Sequence, residues 1–134
     1  MPLLRFDLIK GRTDAEIASL LDVTHEAMLE AFRVPVRDRY QIVHEHEPSR
    51  LRIEDTGLDI PRTNKFVMIS VTTRPRTTEE KTNFYRLLTE ALSKRCGIAA
   101  SDVMVNMVTN TDADWSFGNG EAQFLTGKLG GKPK

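Results

Sequence analysis

The sequence predicts an α/β (α+β) fold in which two fused β-α-β units form a four-stranded mixed sheet with two helices on one face. Three observations predict it. First, the chain echoes itself at an offset of about 64 residues without a gap. Arg12-Thr13 returns as Arg76-Thr77, Glu16 as Glu80, Glu26-Ala27 as Glu90-Ala91, and Asp38 as Asp102. Second, each copy carries a Thr-x-x-Glu capping box, the signature of a helix start. Third, the apolar period in each copy runs from two, through 3.6, back to two, as strand, helix and strand require.

The elements follow in order. Leu4, Phe6 and Leu8 alternate with Arg5 and Asp7, which reads as a strand with one polar face. Thr13 and Glu16 open a helix whose apolar stripe is Ile17, Leu20, Leu21, Thr24 and Met28. After Pro35 a second strand is expected over Arg39 to His44. In the second copy, Phe66 to Thr72 is a β-branched, apolar run suited to a buried strand. Thr77 and Glu80 then open a helix with Phe84, Leu87, Leu88, Ala91 and Leu92 on one face, and Gly97 is placed to end it. Val103 to Val108 closes the pattern. Units of this length imply parallel pairing within each half. Both helices then cover one sheet face, and the second face, apolar in two strands, calls for a cover from another subunit.

One domain accounts for the whole chain, 1–134, with halves at about 2–47 and 66–109. Residues 44–65 and 110–134 lack periodicity and carry Pro48, Gly57, Pro61, Gly118 and Gly120, so loops and short hairpins are expected there. Within the latter, 110–129 reads as a pocket or interface segment and 130–134 as a flexible tail.

Composition removes several function classes. Nineteen basic residues balance nineteen acidic ones, leaving no net field to favour nucleic acid or an anionic membrane. The single Cys96 cannot form an internal disulfide, which fits a reducing compartment. No apolar run spans a bilayer, and Arg5 and Asp7 interrupt any signal-peptide pattern, so a cytoplasmic, soluble protein is expected. No P-loop or Rossmann glycine pattern is present.

Three polar features converge if the halves pack antiparallel. Pro2 starts the first strand, Asp38 starts the parallel second one, and the third strand then ends beside them with Arg74-Pro75-Arg76. Each has an ordinary alternative: an accidental proline after Met1, a turn-capping aspartate, a solvated strand end. Two arginines two residues apart nevertheless share a strand face and offer a fork for a carboxylate. His44 and His46 also share a face, but no third ligand has metal-site spacing. His25 lies within a helix and reads as a packed or solvated residue, and Cys96 lacks a paired histidine. Trp115 and Phe117, in a loop, require a pocket or a subunit interface.

Larger blocks carry a resemblance. Pro2 to Ile9, Gly11-Arg12-Thr13-Asp14, Val34-Pro35, Asp38-Arg39-Tyr40-Gln41, Glu54-Asp55-Thr56-Gly57-Leu58, Arg74-Pro75-Arg76 and Asp112-Ala113-Asp114-Trp115-Ser116-Phe117-Gly118, in this order, resemble the malonate semialdehyde decarboxylase family of the tautomerase superfamily. The likeness runs from Pro2 to about Leu129. It implies a tautomerase-like fold and a homotrimer. It also implies a cofactor-independent, metal-free lyase acting on a small carboxylate that bears a carbonyl. By the same resemblance Pro2, freed by loss of Met1, is the catalytic amine and Asp38 an essential carboxylate. Arg74 and Arg76 bind substrate, and Trp115, Phe117, Phe124 and Leu129 form an apolar wall. Tautomerisation of 2-oxo or enol acids, hydration or dehalogenation of 3-haloacrylates, and a catalytically idle binding trimer remain as alternatives. Asp38 is expected to favour a protonated Pro2, while burial and the arginines oppose it.

Overall fold

The computed structural model describes residues 1–129. Its sheet runs β2-β1-β3-β4, built from β1 (Leu3–Ile9), β2 (Tyr40–His46), β3 (Val67–Thr73) and β4 (Val103–Thr109). β1 pairs parallel with β2, β3 pairs parallel with β4, and the two halves meet antiparallel along β1 and β3. Helices α1 (Asp14–Phe32) and α2 (Thr78–Cys96) pack against each other and against the sheet. The sheet is therefore mixed, as expected, and both helices belong to one core.

The echo is structural. β1 and β3 share the 64-residue offset, as do α1 and α2, which are each 19 residues long. Both capping boxes form. Thr13 Oγ1 accepts from Glu16 N at 3.1 Å while Thr13 N donates to Glu16 Oε1 at 2.8 Å. Thr77 and Glu80 repeat this at 3.0 and 2.9 Å. Each such cap contributes about 1 kcal/mol to its helix. Both helices end on a left-handed residue at the same echo position, Arg33 (φ 53°) and Gly97 (φ 65°). Glycine takes that conformation without strain, whereas Arg33 adopts it against the steric preference of a side-chain-bearing residue.

The core lies between sheet and helices. Phe6, Leu8, Val67, Ile69, Leu20, Phe84, Leu88 and Leu92 are fully buried, and alternate residues of β1 and β3 point into it. Full burial of each such side chain is worth about 1.5–3 kcal/mol. The opposite face holds Leu3, Arg5, Asp7 and Ile9 of β1 beside Tyr40, Ile42, His44 and His46 of β2. Across the sheet it continues through Met68 and Met104 to Val108. Tyr40, Ile42, Met104 and Val108 are exposed there, so this face of the sheet has no cover within the described chain.

Some boundaries differ from the sequence reading. β2 runs on to His46 because its register with β1 continues to the Ile9–His46 pair, and Lys10 N then donates to His46 O at 2.9 Å. Short 3-10 turns occupy Pro48–Arg50, Ala100–Asp102 and Asp112–Asp114, and a one-turn helix, α3, spans Gln123–Thr126. A single turn leaves no periodic signal, and α3 has no side-chain cap to announce it. The hairpin expectation survives as the Gly118–Glu121 bridge. The flexible tail expected at 130–134 lies outside the described residues. Among the described residues no helix is long and apolar enough to cross a membrane.

Candidate active site

Topology alone assembles the site. Leu3 is registered with Tyr40 on one side and with Thr72 on the other. Pro2 therefore lies between the approach to β2, where Asp38 sits, and the end of β3, from which Arg74 and Arg76 emerge. Pro2 and Asp38 are buried. The convergence expected from the echo holds.

Asp38 has an unusual environment for a buried carboxylate. Its backbone N closes a turn to Pro35 O at 2.9 Å, yet both carboxylate oxygens are buried with no hydrogen-bond partner among the described residues. A buried charge left in this state costs several kcal/mol unless something nearby completes it. Burial raises the Asp38 pKa, and the N-terminal ammonium, Arg76, His25 and Arg74 oppose that rise in decreasing order. The amine, carried here by Met1, responds in kind. Burial pulls it from 8.0 to about 6, against the attraction of Asp38, with Arg76 and Arg74 lowering it further and Asp112 raising it. For the Met1 amine the balance thus falls on the neutral side, opposite to the expectation for Pro2 drawn from Asp38 alone.

The two arginines are held from behind. Arg74 Nε forms an ion pair with Asp112 Oδ1 at 2.7 Å, and its guanidinium carbon lies 4.0 Å from the Phe124 ring centroid. Arg76 Nε donates to the buried Thr73 Oγ1 at 3.1 Å, and its guanidinium covers the Phe32 ring at 4.8 Å. Desolvation lowers the Arg76 pKa, with Arg74 adding repulsion, although an arginine stays charged at neutral pH. Anchoring through Nε leaves the outer nitrogens of the fork available for a carboxylate, apart from a long 3.4 Å contact of Arg76 to Phe32 O.

An aromatic chain forms the wall. Phe117 stacks on Trp115 at 5.4 Å, meets Phe124 edge-on at 5.5 Å and tilts against Tyr40 at 5.7 Å. Trp115 Nε1 is satisfied by Asn110 Oδ1 at 2.7 Å. Beside this wall is a cavity of about 230 Å³ lined by Met1, Pro35, Asp38, Tyr40, Phe117 and Leu129, among others. A depression of about 810 Å³ lies elsewhere, between the end of α1 and the start of α2. Its lining is mainly charged, including Glu30, Arg33, Glu79, Glu80 and Arg86, and it has no aromatic wall.

The second copy shows what the first would be without a free terminus. Lys65 and Phe66 occupy the echo positions of Met1 and Pro2, in mid-chain. Asp102, the echo of Asp38, accepts from Thr63 N and Thr63 Oγ1, and Arg12, the echo of Arg76, donates to Lys65 O. The linker meets these groups with the backbone of Thr63 and Lys65 and the Thr63 hydroxyl, although Arg12 Nη1 keeps no partner among the described residues. Asp102 does the turn-capping work that Asp38 does not. Among the described residues, only the Asp38 end of the sheet keeps its carboxylate unsatisfied.

The remaining candidates fall into structural roles. His25 Nε2 sits 2.9 Å from Val36 O and fixes the loop carrying Asp38. His46 Nε2 donates to Asp7 Oδ1 at 2.7 Å, with His44 Nδ1 at 3.7 Å, on the open sheet face. No group of three His, Cys, Asp or Glu set for a metal occurs among the described residues. Cys96 Sγ is 3.6 Å from Ser19 Oγ, away from the cavity. Sequence reasoning gave no role to Asp112, Thr73, Tyr40 or Gln123. The first two hold the arginines and the last two line the cavity.

Comparison with known proteins adds the following. Residues 38–118 match a family described as tautomerase enzymes, and residues 2–59 match a second one of the same description. The chain is 59% identical over 129 residues to the probable tautomerase YrdN of Bacillus subtilis (strain 168), covering 96% of this chain and 100% of that protein. Its structure resembles that of a malonate semialdehyde decarboxylase solved as wild type, as a mutant and in inactivated form. That work addressed decarboxylase and hydratase activities. The TM-score is 0.94 at 56% identity, covering 95% of this chain and 98% of that one. A fused 4-OT symmetric trimer shares the fold at TM-score 0.75 and 22% identity, covering 93% and 98%.

Proposed function

The chain belongs to the tautomerase superfamily, and from that premise we propose that it decarboxylates malonate semialdehyde (3-oxopropanoate) to acetaldehyde and CO2, using Pro2 as an N-terminal amine. The observation that carries this reading is the buried carboxylate of Asp38, partnerless among the described residues, which lines a small apolar cavity and feels the charges of the N-terminal amine and of two anchored arginines.

Each group has a task in that reaction. Arg74 and Arg76 hold the substrate carboxylate and turn its C–C bond across the carbonyl plane, so the breaking bond overlaps the π system. The bond's electron pair moves to the aldehyde carbonyl, CO2 leaves, and the resulting enolate takes a proton to give acetaldehyde. A protonated Pro2 stabilises the enolate oxygen by hydrogen bonding, with Asp38 sustaining the cation. A neutral Pro2 instead condenses with the aldehyde, expelling water, to give an iminium, a stronger electron sink. Loss of CO2 then leaves an enamine that is protonated and hydrolysed to acetaldehyde and free Pro2. The wall of Trp115, Phe117, Phe124 and Leu129 favours loss of charge from the carboxylate as neutral CO2 forms. Neither route calls for a metal or an organic cofactor.

A second reading has its own support: the 59% identical relative is named a probable tautomerase, and enol–keto transfer would use the same amine and carboxylate fork. The test is turnover of malonate semialdehyde, phenylenolpyruvate and 3-chloroacrylates by one preparation with a free Pro2. Acetaldehyde and CO2 formation is expected to have the highest kcat/KM. Preference for phenylenolpyruvate makes the protein a tautomerase, and preference for chloroacrylates a hydratase or dehalogenase.

We also propose a homotrimer in which three sheets meet through the open face bearing Tyr40, Ile42, Met104 and Val108. The fused 4-OT trimer of the same fold supports this arrangement. Light scattering of the protein at micromolar concentration is expected to give three times the chain mass. A monomer mass with activity retained would remove the trimer from the proposal.

A further inference from the structure

A fork of two arginines is stronger than one carboxylate needs, and Asp112 alters its charge. Arg74 and Asp112 are both largely shielded, their side chains retaining 14% and 26% of full exposure, and they meet at 2.7 Å through Nε. Asp112 meets Arg74 at Nε, so the end-on edge made by the two outer guanidinium nitrogens is not the part of Arg74 that it contacts. It subtracts one charge from the pair. Arg74 and Arg76 bring two positive charges and Asp112 one negative, leaving a net of one to meet the ligand. Asp38 and the terminal amine share this field, since both arginines act on each of them and Asp112 acts on the amine.

We propose that Asp112 sets the charge selectivity of the site, admitting monocarboxylates and disfavouring dicarboxylates of the same skeleton. The inference rests on the carboxylate-binding role proposed for the arginines. Malonate semialdehyde is a monoanion that becomes neutral CO2 and an enolate, and a fork of full double charge would hold its ground state too tightly. A second carboxylate on the ligand would find its charge opposed by Asp38 and Asp112, and the further cation lining the cavity, Arg37, is exposed, where solvent screens its pull. Phe124 under Arg74 holds the guanidinium plane, so the fork's geometry does not rest on Asp112 alone.

The experiment compares dissociation constants of malonate and its monomethyl ester for enzyme lacking Met1. These ligands share a skeleton and differ by one charge, and their binding requires no turnover. Asp112→Asn keeps an oxygen acceptor for Arg74 Nε while removing the charge. It is expected to shift the malonate-to-ester affinity ratio about tenfold towards malonate. Asp112→Glu, which keeps the charge, is expected to stay near the wild-type ratio. If the Asn variant weakens both ligands together, Asp112 only positions Arg74 and the selectivity inference fails. If wild-type protein binds neither ligand, the carboxylate role of the arginines fails and the inference falls with it. A wild type that binds both, with a ratio unchanged in the Asn variant, overturns the inference alone.

Discussion

Arg76→Ala is expected to lower kcat/KM for malonate semialdehyde by at least ~100-fold, about 3 kcal/mol of transition-state binding. The expectation follows from how Arg76 is held. Its Nε is spent on Thr73 Oγ1 and its guanidinium lies over Phe32, so it is held in a fixed orientation just beyond the end of β3. A guanidinium already immobilised loses little entropy on meeting a carboxylate, and desolvation strengthens the resulting pair. Folding should depend on it far less. Thr73 Oγ1 donates to Arg74 O at 3.0 Å with or without Arg76, and Phe32 is packed on Phe84 at 5.2 Å inside the core. The melting temperature is therefore expected to move by only a few degrees. Arg76→Lys is expected to recover only part of the activity, because an ammonium supplies charge without the fork. Activity of the alanine variant within a few-fold of wild type would place carboxylate binding elsewhere.

The halves were legible because each carried its own local grammar. Thr13 with Glu16 and Thr77 with Glu80 fixed two helix starts, and the period-two run over Leu4, Phe6 and Leu8 fixed the buried face of β1. The echo then carried the tertiary information. Identical grammar at a constant offset implied two copies of one unit, and their antiparallel meeting brought Pro2, Asp38 and Arg74 to one sheet end. Even the small break in the offset has a cause. One residue, Arg39, separates Asp38 from Tyr40 at the start of β2, whereas Asp102 directly precedes β4, so the last strands differ by 63 rather than 64.

Long-range complementarity was not legible. That Asp38 would be left without donors while Asp102 found Thr63 depends on a linker running past one end of the sheet and not the other. Asp112 opens the block running to Gly118, yet nothing in its spacing says that it meets Arg74, 38 positions earlier in the chain. The sum of forces on the terminal amine was equally closed to sequence. Asp38, Arg74 and Arg76 could be named as opposing charges, but the burial that outweighs Asp38 for the Met1 amine is a property of the packed site.

Met1 is expected to decide whether the protein works at all. While Met1 is attached, Pro2 nitrogen belongs to an amide, is neither basic nor nucleophilic, and has no proton to donate. Met1 itself lines the cavity with Asp38, Tyr40, Phe117 and Leu129, occupying part of the wall against which a substrate carbonyl would lie. Its own amine is no substitute, since it lies one residue beyond the position that the mechanism assigns to the nitrogen of Pro2. Removing Met1 does two things at once: it frees space beside the aromatic wall and gives the partnerless Asp38 oxygens a secondary amine to meet. Proline is small enough at the second position to permit that removal, and intact-mass analysis of active enzyme is expected to show a chain starting at Pro2. An N-terminal extension that blocks removal is expected to lower activity by at least ~1000-fold, about 4 kcal/mol. Borohydride added during turnover then separates the two routes, because only an iminium on Pro2 would be reduced to a stable adduct. Full-rate decarboxylation by protein shown to retain Met1 would exclude the N-terminal amine from the mechanism, leaving Arg74, Arg76 and Asp38 to act without it.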